Sequence, residues 1–303
     1  MRAVIVADKL TKKFDDLRAV DGISFAIEEG ECFGFLGPNG AGKTTCIRMI
    51  QCVSPVTSGE LTVLDMDVKK EQRKIKAVLG IAPQDNNLDP DFRVRMNLIV
   101  YGRYFGIRRE EAEKRADELL AFMSLTDKKD DQIDEISGGM KRRLVIARAL
   151  VNDPKILILD EPTTGLDPQA RHMIWEKVRE LKRKGVTVVI TTHYMEEAQQ
   201  LCDRLVIMEK GKILVEGKPA DLIENNVKKG VVQVLDPDPE LEAYIKLKDW
   251  SGEKLGDTYY VYSDENQAVR SDILTRFPRA NLLIRDATLE DVFLKLTGRG
   301  LKD

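Results

Sequence analysis

Short apolar runs at positions 4–10, 23–27 and 32–36 read as strands, and the third leads directly into a glycine-rich stretch followed by a helical pattern that begins near Lys43. That is the order strand, phosphate loop, helix. From about residue 89 to 149 the texture changes. Apolar positions recur at helical spacing over 96–105 and 109–123, and a stretch dense in Asp and Lys, 126–135, reads as loop. This segment is expected to be a helical subdomain inserted into an α/β core. The core resumes with a strand at 156–159, a helix at 169–183, a strand at 187–191, a short helix at 195–201 and strands at 204–208 and 213–215. Strands alternating with helices imply a largely parallel sheet. Beyond Gly217-Lys218-Pro219, strand patterns at 231–235, 258–262 and 281–284 and helical patterns at 267–277 and 289–296 suffice for a small α/β domain. The expected division is 1–220, with the helical subdomain at about 85–150, and 221–303. No internal repeat or low-complexity tract interrupts it.

Composition narrows the classes. The 303 residues can bury a full core, with room for one domain of about 200 to 220 residues and a smaller one. A formal net charge of −3, with 33% charged and 43% hydrophobic residues, offers no electrostatic argument for nucleic acid as a ligand. The four cysteines, Cys32, Cys46, Cys52 and Cys202, form no Cys-x-x-Cys pair and no zinc spacing, which suggests buried thiols in a reducing compartment. No run approaches the 18 or so apolar residues of a membrane helix, and the opening residues meet Asp8 too soon for a signal peptide. A membrane role would come through a partner.

The chemistry starts at Gly37-Pro38-Asn39-Gly40-Ala41-Gly42-Lys43-Thr44, followed by Thr45. Its glycines let main-chain N–H groups wrap phosphates, while Lys43 can reach the β and γ positions and Thr44 can bind Mg²⁺. Asp160 ends the apolar run 156–159, which places its carboxylate at the sheet edge beside the loop, suited to Mg²⁺ through water. Glu161 would face the γ-phosphate, where a carboxylate can polarise an attacking water. Two adjacent acids alone read equally well as a solvated turn; Pro162-Thr163-Thr164-Gly165-Leu166-Asp167 behind them disfavours that. Ser137-Gly138-Gly139 opens a helix and offers a second set of phosphate donors. One chain with two phosphate cradles suggests two chains sharing two ATPs. His193, past the strand 187–191, sits at the same sheet edge, although a lone histidine is more often structural. His172 reads as surface. Gln84 follows a strand and otherwise reads as a polar loop residue; Phe14 could stack on adenine or belong to the core.

Together these residues resemble the ATP-binding cassette family over about residues 4–217, with every family element in order. The resemblance implies the fold of a P-loop ATPase core with an antiparallel β subdomain and an inserted helical subdomain, followed by a small α/β domain. It assigns the glutamine loop to Gln84, which would also approach Mg²⁺, the switch histidine to His193, the adenine-stacking aromatic to Phe14, and the turn after the strand acids to Gly165-Leu166-Asp167. The signature departs from the usual Leu-Ser-Gly-Gly-Gln in carrying Ile136 and Met140, and Met140-Lys141-Arg142-Arg143 is similar to the daunorubicin-resistance and nodulation-factor exporter branch. Residues 85–92, 101–106 and the tail Thr288-Leu289-Glu290-Asp291-Val292-Phe293-Leu294 point to the same branch. The resemblance implies ATP and Mg²⁺ as ligands, and a homodimer or paired cassette when ATP is bound. It also implies a separate multi-span membrane permease, with this chain held peripherally at the cytoplasmic face of the membrane, or cytoplasmic when uncomplexed. A sensor or self-protection module, or a soluble non-transport ATPase, stays open as an alternative.

Overall fold

A computed structural model describes residues 2–248 and 250–297. The chain divides into two compact units between Leu214 and Val215. The first begins with an antiparallel hairpin, β1 (Ala3–Phe14) and β2 (Leu17–Glu28). The hairpin is longer than the apolar runs 4–10 and 23–27 suggest. Its inward alternation continues through Lys12, which is buried with its amine donating to Pro55 O at 2.8 Å, so a polar residue occupies a core-facing position.

Next come β3 (Cys32–Leu36), α1 (Lys43–Ile50), β4 (Ser58–Val63) and β5 (Met66–Asp67). β4 and β5 complete a four-stranded sheet in the order β2-β1-β4-β5. Neither strand is evident from the sequence, because β4 buries just Leu61 and Val63 of its six residues. After α2 (Gln72–Val78) and β6 (Leu79–Ala82), the helical segment contains α3 (Val94–Tyr104), α4 (Arg109–Phe122) and α5 (Gly138–Ala149). The core then resumes as β7 (Ile156–Asp160), α6 (Pro168–Arg183), β8 (Thr187–Thr192), α7 (Met195–Leu201), β9 (Arg204–Glu209) and β10 (Lys212–Gly217). The second sheet runs β10-β9-β3-β8-β7-β6, and the pairings of β3 with β8 and β9, and of β7 with β6 and β8, are parallel. β3, β7 and β8 are buried throughout, as strands covered on both faces must be. Phe25 of the hairpin meets Phe35 edge-on at 5.1 Å, tying the two sheets into one core that also takes Ile47, Met49 and Ile50 of α1. Burying each such side chain contributes on the order of 1.5–3 kcal/mol.

The second unit holds α8 (Pro219–Val227), β11 (Gly230–Leu235), α9 (Pro239–Leu247), β12 (Gly252–Leu255), β13 (Thr258–Ser263), α10 (Asn266–Arg276), β14 (Asn281–Asp286) and α11 (Leu289–Thr297). From β11 to β14 the order is βαββαβ, and the antiparallel sheet runs β12-β13-β11-β14, the ferredoxin-like arrangement. Val232, Val234 and Val261 pack against Leu241 and Ile245 of α9 and Val269 and Ile273 of α10. α9 escapes the sequence pattern because Asp236-Pro237-Asp238-Pro239 reads as loop; instead Asp238 caps the helix, accepting from Leu241 N at 2.8 Å, with Pro239 in the first turn. The tail segment 288–294 has an equally local role. Asp291, fully buried, accepts from Thr288 N at 2.8 Å and pairs with Arg285 through two bonds of 2.6 and 2.7 Å, fixing the start of α11 to β14. Among the described residues, no helix is long and apolar enough to cross a membrane.

Candidate functional site

β3 delivers the chain into residues 37–42, and α1 starts at Lys43, so the glycine-rich loop runs directly into a helix first turn whose N–H groups lack partners within the helix. Glycine is required at position 42, where φ is 105° and a Cβ would lie 2.5 Å from Ala19 O. Gly211, in the turn between β9 and β10, donates its N–H to Ala41 O at 3.0 Å and props the loop from behind. Lys43 is 4% exposed and donates to Gly37 O at 2.7 Å and Pro38 O at 3.0 Å. Burial pulls its ammonium below the ordinary lysine value, against the opposing pull of the Glu161 and Asp160 charges.

The loop floors a cleft of about 700 Å³. Phe14, 48% exposed at the end of β1, stands on one side with Leu17, Arg18, Ala19 and Lys210; residues 39–45 form the floor; Gln84 and Glu161 close the far side. Phe14 is thus a wall residue, not a core residue, and Lys12 Nζ lies 4.6 Å from its ring centre.

Asp160 and Glu161 leave the end of β7 together, each 7% exposed. Thr44 Oγ1 donates to Asp160 Oδ1 at 3.5 Å, and the Thr191 hydroxyl donates to the same oxygen. A hydroxyl beside a carboxylate is a hard-oxygen pair. Among the described residues no cluster of three or more His, Cys, Asp or Glu side chains could hold a metal alone. The Thr44–Asp160 oxygen pair fits Mg²⁺, which takes one or two protein oxygens and draws the rest from phosphates and water. Glu161 has φ 46°, in the left-handed region, and its N–H donates to Thr191 O at 3.0 Å. Its Oε2 accepts from Thr164 Oγ1 at 3.0 Å and from Gln84 Nε2 at 3.3 Å. His193 Nδ1 lies 3.3 Å from Oε1 without hydrogen-bond geometry and has no other partner. Three side chains, from three segments, thus converge on one carboxylate.

Other candidates lie elsewhere. Ser137 and Gly138 are exposed at the start of α5, where Ser137 Oγ accepts from Met140 N at 3.3 Å. Asp167 caps α6, accepting from Ala170 N at 2.8 Å. None of residues 137–139 and 167 lines the cleft. His172 is exposed, as its charged surroundings suggest, and the cysteines are free, with Cys52 half-buried where full burial was expected. Sequence reasoning missed Thr164 and Thr191, whose signal was their place beside Glu161 and at the end of β8, and it missed the buried arginines of α5.

Residues 20–164 match the sequence model of the ABC transporter family, and residues 246–298 that of the C-terminal domain of the nodulation factor export protein NodI. The Nod factor export ATP-binding protein I of Burkholderia lata is 47% identical over 297 residues, covering 96% of this chain and 96% of that protein. The chain belongs to the ABC transporter family. The protein of the same name from Rhizobium meliloti is 47% identical over 295 residues, covering 97% of this chain and 88% of its own length. Among solved structures, a dimeric post-hydrolysis state of an ATP-binding cassette bound to ADP and Pi is similar with a TM-score of 0.65 and 29% identity, covering 71% of this chain and 98% of that one. As an ABC ATPase the chain binds nucleotide, and its chemistry is ATP hydrolysis.

Proposed function

We propose that this chain powers an exporter from the cytoplasmic face of the membrane, hydrolysing ATP and driving a separate multi-span permease. The observation that carries this reading is the convergence of Gln84, Thr164 and His193 on Glu161 at the open end of the phosphate loop. The names of its relatives support export as the direction.

Phe14 stacks on adenine, and the N–H groups of residues 37–45 hold the phosphates with the Lys43 ammonium on the β and γ positions. Thr44, Asp160 and Gln84 would hold Mg²⁺, which when bound offsets charge on the phosphate oxygens. Glu161 accepts a proton from water as the water oxygen bonds to the γ-phosphorus; the bond from that phosphorus to the bridging oxygen breaks, leaving ADP and inorganic phosphate. His193 holds the γ-phosphate and Gln84 orients Glu161. The exposed Ser137 and Gly138, with Gly139, would meet the ATP of a second cassette, identical or paired, whose own residues 137–139 would meet the first. Asp167 would lie at that junction. Hydrolysis removes the bridge and the pair relaxes. A groove of about 540 Å³ lined by Val53, Tyr101, Tyr104 and Phe105 and flanked by Arg73 and Lys76 supports a permease contact on the helical segment. Residues from about 221 onward form an accessory domain attached to an ATPase domain of about 1–220.

The test is Glu161→Gln. It should bind ATP, hydrolyse it on the order of 100-fold more slowly and accumulate as an ATP-dependent dimer. Full activity would remove Glu161 as the base. Lys43→Ala should weaken ATP binding through loss of a charge-assisted contact of about 2 kcal/mol. Captured from membranes solubilised with ATP and Mg²⁺, the Glu161→Gln chain should bring a stoichiometric permease. Recovery of ribosomal proteins, or of a dimer alone, would overturn transport and leave the ATPase chemistry standing.

A further inference from the structure

The Lys141-Arg142-Arg143 run looks like solvated charge, yet Arg142 is 3% exposed. Among the described residues, no carboxylate is hydrogen-bonded to its guanidinium. Nε donates to Pro162 O at 2.8 Å and one terminal nitrogen to Asp160 O at 2.8 Å, while the other donates to Pro83 O and to Gln84 O at 3.2 Å. Asp160 and Pro162 are the two neighbours of Glu161, so Arg142 grips the main chain on both sides of the proposed base. The same side chain grips the main chain of Gln84, whose amide reaches Glu161.

Glu161 needs that grip. A residue with a Cβ at φ 46° sits in a region that L-amino acids enter at a cost, and such a conformation persists where the surroundings over-determine it. Two flanking carbonyls pointed at one planar fork, together with the Glu161 N–H on Thr191 O, supply three fixed points around this residue. A guanidinium suits this role and an ammonium does not, because its donors diverge in one plane at fixed angles. Arg142 also lies one turn from Gly138 on α5, so the helix that presents residues 137–139 is bonded to the strand end that presents Glu161.

From this geometry we infer that Arg142 is a positioning residue for hydrolysis: it holds the left-handed main chain of Glu161 and the Gln84 loop in register, and acts on turnover through them without touching nucleotide. The inference rests on the reading of Glu161 as the base.

The experiment compares full-length wild type, Arg142→Lys, Arg142→Met and Glu161→Gln, measuring the Kd for ATP by equilibrium binding and kcat separately. Arg142→Met should lower kcat on the order of 100-fold, the scale of a misplacement of about 1 Å, and Arg142→Lys about 10-fold, with Kd for ATP held within about 2-fold in both. In a Gln84→Ala background the kcat loss from Arg142→Met should shrink, since part of it runs through Gln84. Unchanged kcat in either folded variant, or equal losses in kcat and ATP affinity, would overturn the role. Should Arg142→Met fail to fold, Arg142→Lys decides by the same split. A Glu161→Gln chain with full activity points instead to failure of the base assignment.

Discussion

Gln84 Nε2 donates to Glu161 Oε2 at 3.3 Å, joining the loop after β6 to the end of β7 through a side-chain contact 77 residues apart in sequence. Thr164 Oγ1 reaches the same oxygen at 3.0 Å, so the carboxylate keeps one neutral donor when the amide is removed. Gln84→Ala should therefore lower kcat about 10-fold, roughly 1.4 kcal/mol in the barrier, and leave ATP affinity nearly intact. Steady-state kinetics beside equilibrium binding checks this; a loss confined to ATP affinity would assign Gln84 to nucleotide binding.

Glu197 is fully buried on α7, with Oε1 accepting from Thr163 Oγ1 at 2.7 Å and Trp175 Nε1 at 3.1 Å while Oε2 has no partner. Burial raises its pKa above the ordinary carboxylate value, opposed by the bonds from Thr163 and Trp175. In the pH window above 4.5 the folded state therefore binds more protons than the unfolded one. Stability present below the unfolded value is lost as pH rises through the folded value. Glu197→Gln has no such dependence. In urea unfolding, the variant should therefore gain stability relative to wild type as pH rises above the ordinary carboxylate range. Parallel stability curves for the two proteins would show that Glu197 titrates normally.

Asp291→Ala removes the carboxylate that both caps α11 and pairs with Arg285. Leaving a partly buried guanidinium unpaired and the helix start uncapped should destabilise the 215–297 unit by about 3 kcal/mol. Amide exchange across 289–297 should rise before that of the Val232 and Val261 strands. Unchanged protection in α11 would mean that apolar packing of Val292 and Phe293 alone holds it.

Much of the site was legible because its signals are local. The loop 37–45 carries its glycines, lysine and threonine within nine positions, and Asp160 and Glu161 follow an unbroken apolar run, so each announces itself without long-range information. Thr191 and Arg142 did not. Their contacts cross 18 to 59 residues, and the roles depend on which carbonyls the tertiary fold brings near. Charge misled in the same way twice. Lys12 lies just beyond the apolar run 4–10, yet the inward alternation continues through it, and Arg142, Arg143 and Arg148 are charged types that nothing in their spacing marks as buried, although all three are. In the second unit β12 offers two exposed glycine and lysine positions and little apolar pattern, so β13 alone was visible of that hairpin.

The arginines of α5 share a habit. Arg143 donates to Met123 O at 2.6 Å and Ser124 O at 3.0 Å, and Arg148 to Asn87 O at 2.6 Å, as Arg142 does to its own set of carbonyls. A carbonyl oxygen is supplied by every amino acid. The two ends of each contact therefore differ in their tolerance of mutation: replacing an arginine empties the fork, whereas replacing the side chain at 123 or 124 leaves the main-chain acceptor where it was. Sequence drift in the loops that meet α5 is thus mechanically silent at these contacts, and a library of variants should show sharp intolerance at Arg142, Arg143 and Arg148, which point around the helix, beside permissive positions 123 and 124.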